Sequence, residues 1–92
     1  MGFEWMPGLQ AFLRDVDPDE VREALDYPRR WPRPVRGPQG LTYIAIHSRT
    51  RAGRAVTVVV RHLGGHDAVI VGARTMSADD VALFKEWEQD HE

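Results

Sequence analysis

The stretch Leu41 to Arg74, LTYIAIHSRTRAGRAVTVVVRHLGGHDAVIVGAR, decides the fold. Three runs within it, LTYIAIH, AVTVVVR and AVIVGAR, are rich in Val, Ile, Thr and Tyr, and polar Gly-bearing segments separate them. Such runs bounded by turn residues are the pattern of an antiparallel meander. The expected strands are Leu41 to His47, Ala55 to His62 and Ala68 to Arg74. Side chains alternate along a strand, so each run divides into two faces. One face is aliphatic: Ile44, Ile46, Val56, Val58, Val60, Val69 and Val71. The other is mixed, with Tyr43, His47, Thr57, Arg61 and Arg74 among Ala68, Ile70 and Gly72. Helices should cover the aliphatic face and leave the mixed face open. A tight turn at Gly64 and Gly65 would set Arg61 opposite Ala68 and Ala55 opposite Arg74. Closing the longer loop with Ser48 opposite Arg54 then puts His47, Ala55 and Arg74 in one row, which a slip of one residue would break.

Outward from this core, FEW at Phe3 to Trp5 is a candidate edge strand, ended by Pro7 and Gly8. Leu9, Phe12, Leu13 and Val16 have the i, i+3, i+4, i+7 spacing of one helical face. DPDE at Asp17 to Glu20 marks a second helix, with Asp17 as cap, Pro18 at the first position and Glu20 reaching back in a capping box. Its buried side is Val21, Ala24 and Leu25, and Pro28 stops it. Pro28 to Gly40 holds four prolines and four arginines and reads as an extended basic arm. Trp31 within it is either an aromatic lid packed on the domain or a platform on which a base stacks. Ser77 caps a C-terminal helix with Asp79 and Asp80 in its first turn. Val81, Leu83, Phe84 and Trp87 are its expected buried side, and Glu88 to Glu92 its frayed end. The fold class is α+β: an antiparallel three- to four-stranded sheet with two N-terminal helices and one C-terminal helix, forming a single domain over residues 1–92.

The 92 residues suffice for one small core. With no cysteine there is no disulfide framework and no thiolate metal site, and a reducing compartment is the natural setting. No basic start followed by an apolar run marks a signal peptide, and no run reaches the length of a membrane span. A soluble, cytoplasmic protein with no membrane partner is expected. The net charge of −2 conceals a segregation. Residues 1–27 carry seven acids against two arginines, and residues 67–92 seven acids against Arg74 and Lys85, so each has a net charge of −5. Between them, Pro28 to His66 holds eight arginines, three histidines and no acid, a net charge of +8. An acid-free basic block is a candidate polyanion surface, with Arg33, Arg36, Arg49, Arg51 and Arg54 as RNA-binding candidates.

His62 and His66 flank a presumed turn with no cysteine or carboxylate to complete a ligand set, so no metal and no cofactor is expected. What carries chemistry is histidine, arginine and tyrosine on the mixed face. RNA can be cut without metal when a base removes the 2′-hydroxyl proton, an acid protonates the leaving oxygen and cations stabilise the phosphorane. Histidine suits the first two roles, and arginine the third. The catalytic candidates are therefore His47, Arg61, Arg74 and Tyr43. The plainer alternatives are that His47 and Arg74 are solvated strand ends, or that Arg74 pairs with Asp79 or Asp80.

FEW at Phe3 to Trp5, DPDEVREAL at Asp17 to Leu25, a Gly- and Arg-bearing turn before a valine-rich strand, and VIVGARTMSADD from Val69 to Asp80 together resemble the BrnT-type toxins of the RelE-like ribonuclease superfamily. The resemblance spans nearly the whole chain through short motifs. It implies a RelE-like fold and a ribonuclease toxin that inhibits translation, works on the open sheet face, and is blocked by an antitoxin encoded beside it. It implies operator DNA as a partner only through that antitoxin. The family's strand-end arginine matches Arg74, and a middle-strand arginine matches Arg61. Leu13, Arg14, Asp15 and Val16 stand where the family often has Lys/Arg-His-Gly-Val, and the C-terminal helix is acidic where the family's is basic. A catalytically silent RelE-like protein-binding module or co-repressor component is the alternative.

Overall fold

The computed structural model describes residues 2–5, 13–37, 40–64 and 67–91. Its elements are β1 (Gly2–Trp5), β2 (Leu13–Arg14), α1 (Pro18–Asp26), β3 (Trp31–Arg36), β4 (Thr42–Arg49), β5 (Ala55–Gly64), β6 (Asp67–Thr75) and α2 (Ala78–Asp90). One sheet runs in the order β1-β6-β5-β4-β3, with β2 also on β6. The expected three-strand meander is its centre, β4, β5 and β6, each pair antiparallel.

The rest departs from expectation. The sheet is mixed, because β1 and β2 both pair with β6 in parallel, at Gly2 to Asp67 through Trp5 to Ile70 and at Leu13 to Ala73 through Arg14 to Arg74. Only one N-terminal helix, α1, lies among the described residues. Leu13, expected on the first helix, is extended, while Leu9 and Phe12 lie outside the described residues. Pairing explains this: β1 covers only the first four residues of the nine-residue β6. The backbone groups of Ala73 and Arg74 on that edge need partners, and Leu13 and Arg14 supply them. Four apolar positions at helical spacing are a weak local preference that such pairing overrides.

The arginine-proline arm is likewise not free. Trp31 to Arg36 pairs residue by residue with His47 to Thr42. Proline has no N–H to exchange, so Pro32 and Pro34 must occupy the non-hydrogen-bonded positions of this ladder. Their ring nitrogens then face outward, so at Pro32 and Pro34 this edge lacks the donors with which another strand could pair.

The third expected face assignment fails at a bulge. Val59 pairs with Gly72 but Val60 with Ile70, which leaves Val71 without an opposite residue. Beyond the bulge the alternation is inverted. Ala68 and Ile70 therefore join the core with Val58, Val60 and Ala73, while Val69 lies opposite Arg61 on the other face. Arg61 is not opposite Ala68, and Ala55 is not opposite Arg74.

The capping box at α1 forms as the sequence predicts: Asp17 Oδ1 accepts from the Glu20 N–H at 2.9 Å, and Glu20 Oε1 accepts from the Asp17 N–H at 3.2 Å. Val21, Ala24 and Leu25 then bury against Ile46, Val56, Val58, Val60 and Ile70. Ser48 Oγ donates to the Ala24 carbonyl at 2.7 Å, tying β4 to the helix. α1 thus covers one face of the sheet, and α2 reaches the other.

Candidate functional site

Strand pairing sets four side chains in a row across the second face. Trp31 is opposite His47, His47 opposite Thr57, and Thr57 opposite Arg74. The expected row had Ala55 in the place of Thr57; the loop from Thr50 to Arg54 closes two residues deeper, with the Thr50 N–H donating to the Arg54 carbonyl at 2.9 Å. His47 is 3% exposed, and its Nδ1 lies 2.9 Å from Thr57 Oγ1.

The row is not open. Ser77 Oγ accepts from the Asp80 N–H at 3.2 Å and starts α2, which crosses the row from the Arg74 end to the Trp31 end. Asp80 stands 3.9 Å from Arg74. The fully buried Phe84 ring has its centroid 6.5 Å from that of His47. Trp87 stacks on Trp31 with centroids 5.6 Å apart and planes 10° apart, and His91 stacks on Trp87 at 4.3 Å. Trp31 therefore packs as a lid. Glu88, expected in a frayed end, is buried and takes a two-pronged contact from Arg49, at 2.7 Å from Nη2 and 3.0 Å from Nε. Tyr27 also donates its hydroxyl to Glu88 at 3.2 Å. Leu83, expected on the buried side, is 45% exposed; Phe84 and Glu88, four apart, mark the side that faces the sheet.

The field at His47 follows. Burial lowers its pKa below the ordinary imidazole value, Asp80 pulls it back up, and Arg33 and Arg74 push it down. The imidazole is thus neutral at neutral pH, the form of a base, with a guanidinium acting on it from either side. Glu88 is held below the usual carboxylate range first by its hydrogen bond from Arg49, against the opposing effect of burial.

Past the covered row the same face continues through Arg33, Ala45, Val59 and Gly72 to Val35, Tyr43, Arg61 and Val69. Arg61, Arg74 and Arg36 are exposed there or at its edge, and Val35 is 41% exposed. Tyr43 is half-buried, its ring against Gly37, where no Cβ would fit. Arg33 lies over the Trp31 ring at 4.7 Å. The other basic candidates go elsewhere. Arg49 is held by Glu88 and by the Gly53 carbonyl. Arg54 is held by both Glu20 oxygens at 2.9 Å and by Thr75 Oγ1 at 2.6 Å. Arg51 is exposed in the loop, where its N–H donates to Glu23.

Sequence reasoning placed Thr57 on the right face without giving it a role, offered Asp79 or Asp80 as a partner of Arg74, of which the structure brings Asp80 within 3.9 Å, and gave Glu88 no role beyond a frayed end. The helical spacing of Glu88 to Phe84 was the available signal. Among the described residues no three His, Asp or Glu side chains gather as metal ligands, and no helix is long and apolar enough to cross a membrane.

Fold and site together define a small α+β protein with a row of aromatic, imidazole and guanidinium groups across one face of a mixed sheet, half of it under a C-terminal helix. No protein-family model matches the chain, and no curated protein matches it closely enough to count as a relative.

Proposed function

We propose that this chain is the toxin of a toxin–antitoxin pair, a metal-independent ribonuclease that acts in the cytoplasm, slows translation and is neutralised by an antitoxin encoded beside it. The observation that carries the reading is the pair of arginines, Arg33 and Arg74, whose charges both act on the neutral imidazole of His47. In this reading His47 takes the 2′-hydroxyl proton, and the freed oxygen attacks the phosphorus to give a 2′,3′-cyclic phosphate. Arg74 and Arg61 hold the charge on the phosphorane oxygens. The imidazolium so formed returns its proton to the leaving 5′-oxygen, and Tyr43, on the same face but four residues along β4 and about 13 Å away, holds the neighbouring nucleotide. Induced expression should arrest growth, and Arg74→Ala should abolish the arrest. Arg74→Lys should do nearly as much, because lysine keeps the charge and loses the fork. Full toxicity in either variant rejects the site.

A second reading is favoured by one observation, the 3% exposure of His47. A base that RNA cannot reach suits a catalytically silent module that binds a partner protein. Co-expression with the adjacent reading frame separates the two: a silent module co-purifies with its partner, and its expression alone leaves growth unchanged.

A further inference from the structure

Two arginines of the acid-free basic block, Arg49 and Arg54, pair with the acidic ends of the chain, and Arg74, just outside the block, faces an acid of the same helix that takes Arg49. Glu20 of α1 takes Arg54, Glu88 of α2 takes Arg49, and Asp80 of α2 approaches Arg74. The α1 pair sits at the foot of a helix that is bound to the core by three buried apolar residues. α2 is attached differently. Its buried residues are Phe84 and Glu88 alone, and the Trp87 ring stacks on Trp31 at the surface. In a helix held mainly by one phenyl ring, one stacking contact and carboxylate–guanidinium contacts, the last are of a kind that another polyanion can supply. Under it lies a histidine hydrogen-bonded to Thr57 and flanked by arginines.

We infer that α2 is a closing element. Its Glu88 carboxylate occupies on Arg49 the seat that phosphate oxygens would take, its Asp80 stands 3.9 Å from Arg74, and Phe84 shuts His47 from solvent until a polyanion displaces the helix. The inference rests on the RNA reading for the nature of the displacing ligand, but the closure itself is independent of it. A carboxylate and a phosphate oxygen present the same acceptor geometry to a guanidinium fork. The bidentate contact of Arg49 with Glu88 at 2.7 and 3.0 Å is of that kind.

The test uses the full chain as the wild type, as the Asp80→Asn, Glu88→Gln double variant, and as the Glu86→Gln, Asp90→Asn double variant. The last removes two charges from exposed positions of the same helix. Two readouts are taken. The first is the rate at which diethyl pyrocarbonate modifies His47, mapped by peptide mass, with the exposed His91 as reference. The second is the affinity of a labelled single-stranded RNA at fixed salt. Opening the latch should speed His47 modification at least 10-fold while His91 stays constant. It should also tighten RNA binding about 10-fold, a gain that Arg74→Ala removes. The control variant should leave the His47 rate unchanged. His47 remaining as slow in the latch variant as in the wild type overturns the closure. An equal gain in RNA affinity in the control overturns the mimicry, because the effect is then one of net charge. Faster His47 modification with no RNA binding by any form supports the closure and rejects the RNA reading. Should the double variant fail to fold, Glu88→Gln alone, which keeps the side-chain shape and one acceptor oxygen, carries the same comparison.

Discussion

Burial holds the pKa of His47 below its ordinary value of 6.5, so between those two values the unfolded chain binds a proton at His47 that the folded chain does not. Stability is therefore complete above about pH 6.5 and falls as the pH is lowered through that value toward the depressed folded pKa. Thermal unfolding followed from pH 8 to 5 should show Tm declining below about 6.5, and His47→Gln should flatten that decline. Glu88 acts in a separate window. Its folded pKa lies below 4.5, so its contribution is present above that value and is lost on further acidification. A second residue-scale prediction concerns Asp15, whose φ of 61° places it in the left-handed region between β2 and α1. An L residue there costs on the order of 1 kcal/mol, a cost that glycine escapes. Asp15→Gly should raise the unfolding free energy by up to about 1 kcal/mol in a urea titration; a loss of stability would show that the Asp15 side chain makes a contact that outweighs the strain.

At the scale of the element, α1 and α2 start by the same local logic and are held by different forces. α1 carries Val21, Ala24 and Leu25 into the core; α2 carries Phe84 and a partly buried ion pair. Removing a buried phenyl ring costs about 3 to 5 kcal/mol where the surroundings stay in place. α2 has few other apolar anchors, so Phe84→Ala should release the helix rather than unfold the sheet. Hydrogen exchange should show the amides of 81–90 losing protection while those of β4 and β5 keep theirs. Equal loss in both would mean that α2 is part of the cooperative core. Ser77, Asp17 and the two capped starts were legible in the sequence because a cap is a contact between residues three apart. Glu88 was not legible, because its partners Arg49 and Tyr27 lie 39 and 61 residues away.

For the whole molecule the charge pattern sets the expectation for polyanion binding. Of the RNA-binding and catalytic candidates, Arg49 and Arg54 are spent on Glu88 and Glu20 at 2.7 and 2.9 Å. Arg33, Arg36, Arg51, Arg61 and Arg74 remain for phosphates. Single-stranded nucleic acid releases counterions with a slope of about −0.7 per phosphate contacted, so the logarithm of RNA affinity against that of salt should fall with a slope no steeper than about −3.5. A slope near −5 would mean that Arg49 and Arg54 also leave their carboxylates, as displacement of α2 would allow for the first. A flat response would remove the basic surface from consideration.

The chain by itself determined the three central strands, the starts of α1 and α2 and the segregation of charge. Each follows from propensity, from period or from contacts a few residues apart, which a linear string contains. Only the tertiary structure decided three further matters. One is the parallel pairing of β1 and β2 on β6, a choice made by backbone groups in need of partners. Another is the bulge at Val71, which turned Ile70 inward and Val69 outward without any change in the alternating string. The last is the position of α2. The open face and the acidic helix were both readable, but no local rule says that one lies on the other; that rests on Phe84, Trp31 and the Arg49–Glu88 pair meeting across long separations in sequence.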